Sequence, residues 1–236
     1  MISIIGTLLI SSLSFAQADL HLVGTLYGLK SKQTEKLFTS DVDLKIEVDG
    51  TSSTQSVYKD LQGQVVVIEK GQLRGVELEK YEMDRPQTKE KGTITVNNGR
   101  VHFEYQGPDG KKKTDDEKAK GTIVCTANFN AYVLANWDQL MSGKDLDVRF
   151  AVWDRLETVG FTLQKVGITE KDGKKWLELR MKPTSFVIAA LVDPLYFGYT
   201  VEDKQLRLMK GRVSPKIQKD GKWKDLDAEV VYTEPK

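Results

Sequence analysis

Between Asn128 and Gly167 the spacing of apolar residues passes from a helical period to a strand period. Val133, Trp137, Leu140 and Met141 recur at intervals of three and four, with Leu134 beside them, which predicts one short amphipathic helix. Asn130 stands where an N-cap is wanted, and Gly143 where a C′ glycine would end the run. From Asp147 the period becomes two: Val148, Phe150 and Val152 point one way, Asp147, Arg149 and Ala151 the other. The predicted strand Val148–Leu156 sets Val152 and Trp153 on opposite faces, so both faces are expected to be covered. A helix plugging the inner side of a curved sheet would do this.

Elsewhere the pattern is almost wholly that of strands. Asp41–Val48 alternates aliphatic residues with charges, predicting one buried and one wet face. Gln64–Glu69 carries a continuous Val65-Val66-Val67-Ile68 core; Gly71 marks a break, and Leu73–Met83 continues the meander with Val76 and Leu78 on its apolar side. Asn97-Asn98-Gly99 is the strongest hairpin signal, because Asn-Gly accommodates the positive φ angles of a type I′ turn. Thr158–Ile168 and Lys174–Met181 pair through Asp172-Gly173, and Leu195–Val201, Gln205–Val213 and Trp223–Tyr232 close the chain. Phe186–Val192, apolar all round, reads as a buried helical turn or a strand; Ser185 as a cap and Asp193-Pro194 as a stop favour the helix. Lys111–Lys118, bounded by Gly107-Pro108-Asp109-Gly110 and Gly121, reads as a solvated hairpin loop.

The sum is about eleven or twelve strands and two short helices, with no fixed repeat and no shift of composition. The expected fold is all-β: a single large antiparallel curved sheet, or unclosed β-barrel, with two short helices plugging or covering it. Residues 19–236 form one domain in this reading. Residues 1–18 read as a signal peptide, because the uncharged run Ile2–Phe15 is followed by Ala16-Gln17-Ala18 and then at once by Asp19.

Export sets the context for Cys125, which has no second cysteine to pair with and lies in an alternating Thr122–Thr126 run. A buried small side chain is the reading there. With no disulfide pair and no glycosylation sequon, a bacterial periplasm is the expected compartment. The 35 basic and 34 acidic residues balance, which leaves no nucleic-acid footprint. No other apolar run is long enough for a spanning helix, and the charged row Asp41, Asp43, Lys45 and Glu47 opposes a lipid-facing band, so no integral membrane protein is expected.

Catalytic patterns are missing. His21 and His102 stand alone, without His-Glu-x-x-His or Cys-x-x-Cys spacing, and Ser142, Ser185 and Ser214 sit in no nucleophile motif. No phosphate-binding glycine loop occurs. The nominal carboxylate pairs Asp145/Asp147 and Asp154/Glu157 read as solvated faces and turn caps. Neither an enzyme nor a cofactor or metal is expected. The aromatic residues concentrate in the second half, where they build a core and, in an incompletely filled barrel, line a ligand cavity. The cavity candidates are Trp137, Leu140, Met141, Phe150, Trp153 and Phe161.

Phe129, Asn136-Trp137-Asp138, Leu140, Gly143, Phe161, Asp172-Gly173, Leu206 and Gly211 carry a resemblance, over Asn128–Tyr232, to uncharacterised exported proteins of Gram-negative bacteria. The resemblance implies an architecture similar to that of the periplasmic lipoprotein carriers, an open β-barrel with helices over its mouth. Those carriers bring longer helices in their first half, and none is predicted here between Asp19 and Tyr105. Two functions are therefore expected to compete. One is a periplasmic carrier for a lipid, acyl chain or other apolar small molecule. The other is a ligand-free protein that docks an envelope partner through a sheet edge or the 107–121 loop.

Overall fold

The computed structural model describes residues 19–190 and 192–234; the expected signal peptide lies outside them. The described residues form one fifteen-stranded sheet, more strands than the sequence pattern distinguishes. It starts in the middle. β1 (Leu20–Gly28) lies between β2 (Lys36–Ile46) and β15 (Lys222–Thr233). The chain meanders outward through β3 (Thr51–Lys59), β4 (Val65–Arg74), β5 (Glu77–Arg85), β6 (Glu90–Asn97) and β7 (Arg100–Gln106) to the edge strand β8 (Lys112–Lys118). It then crosses to the opposite edge, β9 (Ile123–Val124), passes through the helices α1 (Phe129–Ala135) and α2 (Trp137–Met141), and meanders back. The return strands are β10 (Leu146–Val152), β11 (Glu157–Lys171), β12 (Lys174–Pro183), β13 (Leu195–Thr200), β14 (Leu206–Lys219) and β15, with α3 (Phe186–Ala189) between β12 and β13. All neighbours are antiparallel except β9 and β10.

Local chemistry fixes the hairpins. Asn98-Gly99, Asp172-Gly173 and Asp220-Gly221 all have positive φ at both positions, the type I′ geometry whose twist matches the flanking strands. The ladder is not closed, because β8 and β9 do not pair, yet the sheet curls until distant strands meet. β4 touches β14 although β3, β2, β1 and β15 lie between them, and β8 reaches β11, where the Glu117 carboxylate accepts the Thr158 backbone N–H. The architecture is an open, overlapped β-barrel.

Two clusters fill it. The first gathers Leu26, Val67, Tyr81, Met83, Ile94 and Phe103 from the early strands, Ala228 and Val230 from β15, and Ile123, Cys125 and Trp153 from the far end of the sheet. The second packs Val133, Trp137 and Leu140 of the helices against Leu163, Leu177, Leu179, Phe197 and Tyr199. Met209 packs against both.

Several elements depart from the sequence pattern for identifiable reasons. The predicted single helix is two, because Asn136 donates its side-chain amide to the Tyr132 carbonyl (2.9 Å) and so ends α1 before α2 begins. The N-cap is Asn128, and Asn130 lies inside the first turn. Gly143 does sit past α2 with φ +85°. The 107–121 segment contains a strand: Lys112–Lys118 forms β8, which pairs with β7 along its length, and the residues on either side are turn or irregular. Gly71 is inside β4; the chain turns at Gly75, whose φ is +60°. The aliphatic row of Asp41–Val48 is not buried, with Val42, Leu44 and Ile46 half-buried and Val48 fully exposed. α3 is the helix expected near Phe186, but it has no buried residue, and Phe186 is 90% exposed.

Candidate functional site

The unexpected chemistry lies on the concave face of β4–β6. Along β4 the residues Val67, Glu69, Gly71 and Leu73 are buried in alternation, so a glutamate occupies a position that the strand period assigns to an apolar residue. β5 buries Tyr81, Met83 and Arg85 in the same phase, and β6 buries Glu90, Gly92 and Ile94. Register then builds two rows across the sheet. Glu69, Met83, Gly92 and Tyr105 stand side by side, and next to them Gly71, Tyr81, Ile94 and Phe103.

The glycines in these rows are seats. A Cβ at Gly92 would fall 2.9 Å from Cδ2 and 3.1 Å from Cζ3 of the Trp153 indole, and closer still to Cε3. A Cβ at Gly71 would fall 2.5 Å from the Ala127 methyl and from Thr54 Oγ1. The segment Cys125–Ala127 and the Trp153 ring, both from the second half, therefore lie directly on the floor of the first half. Trp153 reaches it because β10 stops at Val152 and a tight turn follows, with the Leu156 N–H bonded to the Val152 carbonyl at 3.0 Å and Leu156 at φ +58°. Asn128 holds the other arm. Fully buried, it accepts from the Cys125 N–H (2.8 Å) and donates to the Val76 and Ile123 carbonyls (2.9 Å each). Asn128→Ala strips three backbone groups of their partner, and a loss of roughly 1–3 kcal/mol in urea unfolding is expected.

Two carboxylates lie beneath this plug in opposite electrostatic settings. Glu90 receives the Arg85 guanidinium (2.9 Å), the Thr88 hydroxyl and the Tyr105 hydroxyl (2.9 Å), and Arg85 also lies 4.9 Å from the Trp153 ring centre. Burial works to raise its pKa, but the hydroxyls and Arg85 together outweigh burial and hold it below the ordinary glutamate value. Glu69 has no cation hydrogen-bonded to it, and the Arg85 charge acts on it only from a distance. Its Oε1 accepts from Tyr81 (3.1 Å) and from Ser214, and Tyr81 accepts in turn from Thr126 of the plug (3.4 Å). Ser214 arrives at a bulge in β14, where the register shifts between Val213 and Lys216 and the Gln87 side chain bonds both the N–H and the carbonyl of Lys216. Burial raises the Glu69 pKa despite these hydrogen bonds. Burial also lifts Tyr58, Tyr81 and Tyr232, and the Glu69 charge adds to it. The Cys125 thiol, buried beside them, is pushed up to about 12, which leaves it unreactive.

Glu69 has a consequence for stability. The folded protein binds its proton more tightly than the unfolded chain does, so stability falls as pH rises from the ordinary glutamate value through the raised one. Glu69→Gln is expected to remove that decline and to match or exceed the wild-type melting temperature at neutral pH, in scans at several pH values.

The six cavity candidates are divided by the fold. Trp137, Leu140 and Phe161 are buried in the second cluster, with Met141 and Phe150 packed against it; Trp153 belongs to the first. Trp137 meets Tyr199 edge-on at 5.9 Å, and Phe150 meets Phe161 at 6.1 Å. None of them lines either of two open clefts. One, of about 270 Å³, lies on the outer face of β2–β5 among Asp43, Lys45, Lys70 and Glu82. The other, of about 490 Å³, lies between α1 and β10. Of its polar groups, Arg149 bonds Thr158 through Nη2 (2.6 and 3.0 Å) while its buried Nε has no partner, and Tyr132 bonds the Asp147 carbonyl (3.1 Å). Among the described residues, no group of His, Cys, Asp or Glu is arranged to hold a metal, and no helix is long and apolar enough to cross a membrane. Glu69, Arg85 and Glu90 were not singled out by the sequence pattern; the usable signal was their apolar strand phase.

No family model matches the chain, and no curated protein matches it. Among solved structures it is similar to a β-barrel-like protein of the domain of unknown function DUF1849 from Brucella abortus, at 9% identity and a TM-score of 0.48, over 92% of this chain and 95% of that one. It is also similar to a porin-like protein from Bacteroides uniformis, at 10% identity and a TM-score of 0.23, over 91% of this chain and 97% of that one.

Proposed function

We propose that this chain is a non-catalytic carrier of the bacterial cell envelope, exported to the periplasm, that takes an amphipathic ligand into the first half of its open barrel. The observation that carries the reading is the seat of Trp153 on Gly92. Side chains of the second half fill the concavity of the first, on a floor that two glycines hollow out for them. Withdrawal of the plug uncovers Val67, Met83, Ile94 and Phe103, an apolar wall with polar groups at one side. The unclosed ladder leaves the movement no β8–β9 backbone pairing to break, so what it must release are side-chain ties such as those of Asn128 to Val76 and Glu117 to Thr158. The ligand competes with Trp153 for the same surface, so loading is an exchange of one apolar occupant for another.

The test is native mass spectrometry of the mature protein purified from a bacterial periplasm, followed by solvent extraction and lipid analysis. A reproducible adduct that extraction identifies as an amphiphile supports the carrier. A bare protein mass that persists after incubation with envelope lipids overturns it.

A docking protein is the second reading, and what favours it is α3, where Phe186 and Val187 are 90% and 71% exposed. The 107–121 segment favours it less, since β8 is an edge strand of charged residues, the composition that discourages pairing with another chain. A photo-crosslinker placed at Phe186 in living cells separates the readings: a specific protein adduct, with no lipid in the purified protein, selects docking.

A further inference from the structure

We infer, resting on the carrier reading, that Glu69 makes the uncovered chamber selective for amphiphiles with a cationic, hydrogen-bond-donating head group, an amine in chemical class. The acid stands where β4 requires an apolar side chain, and every group bonded to its carboxylate is a hydroxyl. The buried cation nearby, Arg85, hydrogen-bonds Glu90 and not Glu69, which it reaches only through its field. Lys216, at the rim, lies 3.4 Å from Asp225. Glu69 is thus a buried carboxyl group with no cation bonded to it, Arg85 acting on it only through space. Such a group lowers stability when a neutral side chain of the same shape would not, which marks it as retained for something other than folding.

Its position relative to the plug connects it to the ligand. Gly71, two residues further along the same face of β4, is the seat of Ala127, and Thr126 is bonded to the Tyr81 hydroxyl that Glu69 holds. When the Cys125–Ala127 segment lifts, Tyr81 loses that partner and the chamber opens beside Glu69. An ammonium head group arriving there donates to the carboxylate and stabilises its ionised form. A carboxylate head group meets a like charge or competes for a proton, and an alcohol gains a single neutral hydrogen bond.

The experiment compares dodecylamine, dodecan-1-ol and dodecanoate, below their micellar concentrations, by isothermal titration against wild type, Glu69→Gln and Glu69→Leu. Roughly tenfold or tighter binding of the amine than of the alcohol is expected in wild type, with that preference lost in both variants while the alcohol binds wild type and Glu69→Gln alike. Circular dichroism and melting curves confirm that the variants fold. Equal binding of the three probes to wild type, or an amine preference that survives in Glu69→Gln, overturns the selectivity and leaves the carrier standing. Binding of none of them overturns both.

Discussion

Arg85→Ala is expected to destabilise the protein by about 3–5 kcal/mol, because it leaves Glu90 buried and charged without its partner. Arg85 and Glu90 face each other across β5 and β6, and their side chains are 6% and 8% exposed. The Thr88 and Tyr105 hydroxyls complete the shell of the carboxylate but cannot replace a guanidinium. For a chain of this size the loss corresponds to a melting temperature roughly 6–20 °C lower. The double change Arg85→Met, Glu90→Met is expected to recover most of it, since removing both charges removes the desolvation cost with them. The pH dependence follows in sign. Glu90 is held below its ordinary pKa, so its contribution is present above that ordinary value and is lost as pH falls through the lowered one. Chemical denaturation of the single and double variants at neutral pH checks the energies. A double variant as unstable as Arg85→Ala would show that the pair is not the source.

Gly92→Val is expected to unseat Trp153. Its Cβ overlaps the indole, and the two γ-methyls extend the overlap over a ring that is itself 7% exposed and confined by Tyr105 at 5.7 Å. Overpacking of this kind costs about 1–3 kcal/mol. Its signature is more specific than the energy: loss of the near-ultraviolet dichroism of the buried indole while the far-ultraviolet strand signal remains. Because the substitution displaces the plug without touching Glu69, the variant is also expected to take up an amphiphile more readily than wild type. Gly92→Ala should show the same changes to a smaller degree.

The hairpins were legible in the sequence because their cause is local. Asn98-Gly99 and Asp172-Gly173 adopt positive φ whatever surrounds them, and the alternation around them sets the strands. What escaped has tertiary causes. Gly71 reads as a turn, yet its role is to let Ala127 approach β4, a contact that no local pattern records. β8 reads as a loop because it is charged on both faces, which an edge strand tolerates and a central one does not. Asn130 looked like the cap, whereas Asn128 is placed by bonds to Val76 and Ile123 outside the helix. Trp153 stands out as an aromatic candidate, but its seat on Gly92 belongs to another part of the chain. Glu69 and Arg85 carry no signal of burial in their residue type, since the pattern assigns a charged residue in a strand to the wet face. Their burial follows from the curl that brings β14 onto β4.

The measurement that bears most directly on the account is fluorine NMR of the protein labelled with 5-fluorotryptophan. The chain has four tryptophans, and the resonance of Trp153 is identified by its disappearance in Trp153→Phe. On titration with dodecylamine, the Trp153 resonance is expected to move towards the position of a solvent-exposed indole, while that of Trp137, packed on Tyr199 in the other cluster, stays in place. A probe that binds while Trp153 keeps its resonance would show that the ligand does not replace the plug, and would contradict the account.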